Sequence, residues 1–170
     1  MSPSDALYSI EFLKMLLELQ VPKLNVLNIL SYLIKGFNCF IHCSSLNEGD
    51  CLGLFIVELF KTMDQWTRND GEYWKKTFSK YSGFAKLVGD PNQIVTFERL
   101  TQIVKQIHSC LTQFLMICLE DPKKQIMKTK CVLKILNRII DVFPQEKKQA
   151  EHILEKVDLI AKQTEIHQSI

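Results

Sequence analysis

The sequence predicts an all-α fold, and three features of its 170 residues support that class. Apolar residues recur at spacings of three and four over long segments, which is the period of an α-helix. No segment alternates apolar and polar residues between turn dipeptides, so strands are not expected. Most of the five prolines stand between the helical segments, where a helix can begin without losing a hydrogen bond. We therefore expect about seven antiparallel helices, arranged as a bundle or as an irregular HEAT-like stack (an α-solenoid).

The first three helices are predicted from two prolines and one cap. The first runs from Pro3 to Leu19, and the second runs from Pro22 to about His42. Because the second is apolar on more than one face, it is expected near the centre of the fold. Ser45 and Glu48 have the spacing of a capping box, and a third helix follows them to about Trp66.

The remaining four helices follow a short aromatic segment and a glycine-containing loop. The fourth helix is expected between its cap Asp70 and Tyr81. The loop over 82–95 is the weakest point of what is otherwise expected to be one domain spanning 1–170. The fifth helix, Phe97 to Cys118, has the most regular apolar stripe, and the sixth extends over 122–143. The seventh helix carries Ile153, Leu154, Val157 and Ile160.

Composition argues against several functional classes. The net charge of +2 argues against a dedicated nucleic-acid-binding domain, because such a domain usually has a strongly positive electrostatic potential. No apolar run reaches the roughly 18 residues of a membrane span, and the first residues do not resemble a signal peptide. The six cysteines are therefore expected to be reduced thiols. The glycines form neither a dinucleotide-binding motif nor a P-loop.

Metal binding and catalysis have little support in the sequence. Cys39, His42, Cys43 and Cys51 are grouped, but they lie in an apolar segment without the second ligand pair of a zinc site. No nucleophile on a sharp turn or carboxylate pair accompanies the histidines. His108 is expected to be a partly buried, hydrogen-bonded core residue. We therefore expect neither an enzyme nor a bound cofactor or metal.

Two further patterns allow a packing interpretation and a functional one. An aromatic group could stack on nucleic-acid bases, but its helical spacing favours a small packed core; it consists of Trp66, Tyr73, Trp74, Phe78, Tyr81 and Phe84. Gly49 and Gly53 form a G-x-x-x-G motif, which in a soluble helix usually permits close packing.

The sixth helix carries the most informative charge pattern. Six basic residues fall within an arc of about 160°, and this face is expected to lack acidic side chains. The face is either simply solvated or a contact surface for phosphates or an acidic partner, and the pattern leaves both open. The six residues are Lys123, Lys124, Lys128, Lys130, Lys134 and Arg138.

Short motifs in a fixed order resemble one protein family. Residues 2–9 read Ser-Pro-Ser-Asp-Ala-Leu-Tyr-Ser and are followed by Phe12. Three further motifs follow along the chain. They are Cys-Leu-Glu at 118–120, Leu-x-x-Ile-x-x-x-Phe-Pro at 136–144 and Leu-Glu-Lys-Val at 154–157. In order and spacing the chain resembles the C-terminal conserved helical region of the largest subunit of the THO complex. That complex is the core of the TREX transcription–export assembly.

The resemblance implies a non-enzymatic nuclear scaffold that acts in transcription elongation and mRNA export. Its implied partners are other THO subunits and a DEAD-box RNA helicase, without a membrane or a small-molecule substrate. It also implies that the chain is a piece of a larger helical subunit or a shortened member. A direct RNA- or DNA-binding module that uses the basic face over 122–143 is the alternative.

Overall fold

The computed structural model describes residues 2–43, 45–68, 71–86 and 93–168, except the side chains of 38, 42, 43, 73 and 163–168. Within these residues the chain forms seven α-helices and one 3₁₀ helix, Ser82–Phe84, which confirms the all-α prediction. The α-helices are α1 (Pro3–Glu18), α2 (Val26–Cys43), α3 (Leu46–Thr67), α4 (Gly71–Thr77), α5 (Phe97–Cys118), α6 (Ile126–Ile139) and α7 (Lys147–Gln168). No helix in the described part of the chain is long and apolar enough to span a membrane.

The main packing partners are not neighbours along the chain. Helix α3 makes its most extensive contact with α6 and its next with α1, whereas α2 and α7 both pack on α5. Buried apolar side chains from all seven helices join into one contiguous core. Their burial supplies the main driving force for this arrangement. Representative members, one from each helix, are Ile10, Phe37, Phe60, Trp74, Leu111, Ile135 and Ile153.

Two glycines bring α3 unusually close to α6. A Cβ atom added to Gly53 would lie only 2.8 Å from the Cβ of Arg138 and 3.5 Å from the Cα of Ile135. One added to Gly49 would clash with the Sγ atom of Cys131. The G-x-x-x-G motif therefore permits close packing of α3 on α6, as predicted from the sequence.

The caps explain where the early helices begin. The predicted capping box is present at α3, because the Glu48 amide donates to Ser45 Oγ and the Ser45 amide donates to a Glu48 carboxylate oxygen. Helix α2 begins four residues later than predicted. Lys23 has a left-handed φ of 65°, which interrupts a helix, and the Asn25 side chain then accepts a hydrogen bond from the Asn28 amide.

The aromatic group forms a packed core, as predicted. Trp66 and Trp74 both meet the ring of Phe84 edge-on, at centroid distances of 5.1 and 4.8 Å, and all three side chains are buried. Helix α4 ends at Thr77 rather than near Tyr81, because the chain turns there and enters the 3₁₀ helix that carries Phe84. The predicted cap Asp70 and the side chain of Tyr73 lie outside the described residues.

Candidate functional site

The six basic residues do not share one helix face as predicted, because α6 begins at Ile126 and not at 122. Lys123 and Lys124 lie in the turn before it. The Asp121 carboxylate accepts a hydrogen bond from the Lys124 amide at 3.2 Å and pairs with the Lys124 ammonium at 3.2 Å. These bonds hold the pKa of Asp121 below its ordinary value. Asp121 therefore closes a separate turn, and it partly neutralises Lys124.

An acidic residue of another helix neutralises the C-terminal end of the same surface. The Arg138 guanidinium binds Asp50 of α3 through two hydrogen bonds of 2.8 and 2.9 Å. This bidentate contact holds the pKa of the Asp50 carboxyl below its ordinary value. The expectation of a face without acidic side chains is thus wrong, since Asp50 comes from 88 residues earlier in the chain.

Five of the six basic residues are exposed, but Lys124 and Arg138 are ion-paired with Asp121 and Asp50, so three are both exposed and unpaired in the described part of the chain. Lys128 is half-buried, and it lies near enough to Cys118 to oppose the increase that burial causes in the pKa of that thiol. Lys123, Lys130 and Lys134 are exposed, and none of them makes an ion pair within the described residues. We call these three exposed and unpaired lysines the lysine edge.

An apolar groove of about 400 Å³ lies between α6 and α7. Helix α7 packs on α5, where the Thr112 hydroxyl donates a hydrogen bond to the Gln149 side chain near the start of α7. Ile140 and Leu154 line the groove while remaining 71% and 61% exposed. The groove cannot be predicted from the sequence, because it depends on how two helices are placed relative to each other. The other lining residues are Leu133, Leu136, Asn137, Phe143, Pro144, Ala150, Ile153 and Val157.

His108 is more deeply buried than predicted. Its ring stacks on Phe60 at a centroid distance of 4.2 Å and on Phe143 at 5.6 Å, and 2% of the residue is exposed. The expected hydrogen bond is missing at Nδ1, which has no partner within the described residues. Burial lowers the pKa of His108 to about 4, against a small opposing effect of Asp64. This environment is that of a neutral core histidine.

The cysteine group does not assemble a metal site in the described part of the chain. Cys39 is exposed and Cys51 is buried, and the side chains of His42 and Cys43 lie outside the described residues. Among the described residues, no group of three or more His, Cys, Asp or Glu side chains could hold a metal ion. The packing interpretation of these cysteines remains a prediction.

Breaking the ion pair between α3 and α6 should have a small effect. Asp50→Asn is expected to lower the Tm by about 2 °C, since both side chains are partly exposed to solvent and are screened by it. The decrease should shrink in 1 M NaCl. Thermal unfolding of Asp50→Asn, Arg138→Gln and the double variant measures the coupling, and strictly additive effects would show that the pair contributes nothing.

The chain matches one family model over residues 1–169, and the family is described as Tho2: Transcription factor/nuclear export subunit protein 2. The match covers all seven helices and agrees with the motif order found in the sequence. No solved structure matches the chain significantly.

Proposed function

Because this chain belongs to the Tho2 family of transcription and nuclear-export subunits, we propose that it is a non-enzymatic scaffold module of the THO/TREX complex. In this role it binds other THO subunits in the nucleus and supports docking of a DEAD-box RNA helicase, which couples transcription to mRNA processing and export. The observation that carries the proposal is the family match over 1–169. Tho2 is a family of complex subunits and not of enzymes.

The surface chemistry supports a role in binding. Two members of the lysine edge, Lys130 and Lys134, lie one helical turn from groove residues of α6, so exposed positive charge stands beside exposed apolar side chains. Such a combination favours a protein contact, in which apolar burial contributes affinity and charge contributes orientation and association rate. We propose that the contact surface consists of the lysine edge, and that Lys124, Lys128 and Arg138 mainly hold the local structure.

Charge reversal tests which of the six basic residues contact a partner. Lys123→Glu, Lys130→Glu and Lys134→Glu together should weaken binding to purified THO subunits or to the helicase at least about tenfold. A matched control reverses Lys76, Lys80 and Lys105, which are exposed elsewhere, and it should change affinity less than about twofold. Binding can be measured by titration at two salt concentrations. Equal losses in both triple variants would indicate a nonspecific charge effect and contradict the proposed surface.

Direct RNA binding is the second candidate function. The observation that favours it is the exposed positive charge of the lysine edge. If three lysines each neutralise one phosphate of single-stranded RNA, log Kobs should fall with log salt with a slope of about −2. A surface of six phosphate contacts would have a slope of about −4. Fluorescence anisotropy with a labelled RNA, from 50 to 200 mM salt, measures the slope. A slope near zero would exclude a phosphate-binding surface.

A further inference from the structure

We propose that the groove between α6 and α7 binds an amphipathic α-helix of a partner protein, with an acidic edge of that helix lying against α6. This inference rests on the proposed scaffold function and specifies the kind of partner segment that the scaffold would recognise. It is carried by the shape of the groove and by the charges along its two sides.

The groove has the form that a helix with one apolar face requires. Leu133, Leu136 and Ile140 follow spacings of three and four along α6, and Ile153 and Val157 are four residues apart on α7. Each wall is therefore a row of apolar side chains along a helix. A partner helix presents the same spacing, so its apolar residues can lie between the two rows.

The charges beside the groove determine which edge of the partner helix faces α6. Lys130 and Lys134 are exposed, and helical periodicity places them one turn from the groove residues Leu133 and Asn137. Helix α6 contains no acidic residue, although Asp50 of α3, already bound to Arg138, lies close enough to Lys134 to interact with it electrostatically. An acidic edge on the bound helix would therefore meet two ammonium groups.

The α7 side of the groove carries charges of both signs. By helical periodicity, the outer side of α7 carries exposed Glu151, Glu155 and Asp158 together with exposed Lys147 and Lys162, and the Lys147 ammonium lies 3.6 Å from a Glu151 carboxylate oxygen. A second acidic edge would gain no net attraction there, so acidic residues are favoured only on the edge that faces α6. The expected occupant therefore has acidic residues on one edge only.

The lining of the groove argues against RNA as its occupant. The ring that lines it, Phe143, is 2% exposed and already packs on His108 and Phe60, so it offers no open face on which a base could stack. The remaining lining is mainly aliphatic. Aliphatic side chains bury apolar helix residues well, but they provide no hydrogen bonds for bases or phosphates.

Two synthetic helical peptides of 20 residues test the proposal with the 170-residue chain. Both carry leucines at helical spacing of three and four, and one edge carries glutamates in the first peptide and glutamines in the second. Because exposed ion pairs are weak individually, the acidic peptide should bind about fivefold more tightly at low salt. This preference should be lost or reversed in the Lys130→Glu/Lys134→Glu variant, because the new carboxylates repel the acidic edge, and it should persist in the matched Lys76→Glu/Lys80→Glu control.

A second pair of variants tests the position of the peptide. Ile140→Glu and Leu154→Glu replace side chains that are largely exposed, so the fold should be retained, as circular dichroism and thermal unfolding can verify. Each substitution should lower the affinity for both peptides at least about tenfold. Undiminished binding in these variants, equal affinity for the two peptides, or no binding below about 100 µM would each overturn the proposal.

Other occupants would produce distinct results. Displacement of the peptide by a 15-nucleotide single-stranded RNA would assign the groove to nucleic acid. A dimer in sedimentation experiments that the peptide dissociates would assign it to a second copy of the chain. Either result overturns the proposal. If the chain binds purified THO subunits but not the peptides, only the assignment of the groove is wrong. If it binds the peptides but not the THO subunits, the scaffold function is contradicted.

Discussion

Gly49→Ala is expected to destabilise the chain by about 2 kcal/mol, and adding Cys131→Ala should recover most of that loss. The new methyl group would overlap the buried Sγ atom of Cys131, so α3 and α6 would have to separate. Overpacking of this kind typically costs about 1–3 kcal/mol, and the better helix propensity of alanine offsets up to about 1 kcal/mol. Once the sulfur is removed, the nearest atoms of residue 131 lie 3.5–3.6 Å away, which is ordinary contact.

The sign of the coupling makes this prediction specific. Cys131→Ala alone should lose about 1 kcal/mol because it removes a buried atom, yet it should stabilise the Gly49→Ala background. Urea unfolding of the wild type, both single variants and the double variant completes the cycle. Gly36→Ala is the matched control, since its nearest neighbour is the ring end of partly exposed Phe40, which can move. Two independent, additive losses would show that the close approach of α3 and α6 is not maintained by Gly49.

Lowering the pH from 6.5 to 4 should remove about 3 kcal/mol of stability through His108 alone. The pKa of His108 is about 4 in the folded chain, whereas an unfolded histidine titrates near 6.5. The unfolded state therefore takes up the proton first as the pH falls. The contribution of His108 is complete above pH 6.5 and decreases as the pH approaches 4.

The variant that isolates this effect is His108→Phe. Phenylalanine can retain the stack between Phe60 and Phe143 and does not titrate, so its free energy of unfolding should be nearly independent of pH between 6.5 and 5 relative to the wild type. The capping carboxyls Asp5, Glu48 and Asp121 have lowered pKa values, and their stabilisation is lost only below their ordinary range near 4. Parallel pH profiles for wild type and variant would contradict the assignment to His108.

Local sequence signals predicted the features that local interactions determine. The capping box at Ser45 and Glu48 was correct because its partners are three residues apart. The packing of Trp66 and Trp74 followed from apolar spacing, although the position of Phe84 between them depends on the turn after α4. The predicted start of α2 at Pro22 was wrong because the left-handed backbone at Lys23 left no clear signal in residue type.

The basic surface could be predicted only in part from the sequence. Helical periodicity predicted six positive charges on one arc, but it cannot predict contacts with residues that are distant in the sequence. Asp50 binds Arg138 across a sequence separation of 88 residues, and the turn closed by Asp121 removes Lys124 from the helix. Three exposed and unpaired lysines remain, and two of them lie one helical turn from a groove that is formed by two helices together.

The sequence by itself determined the helical class, most helix positions and the family, because hydrophobic period, caps and motif order are properties of neighbouring residues. Only the tertiary structure decided which charges face solvent and where apolar side chains stay uncovered. Those outcomes depend on how α3 meets α6 at two glycines and on how α7 lies against α5. Because the core is closely packed, the helices can occupy only certain relative positions. These positions leave the groove open and bring acidic side chains to part of the basic surface.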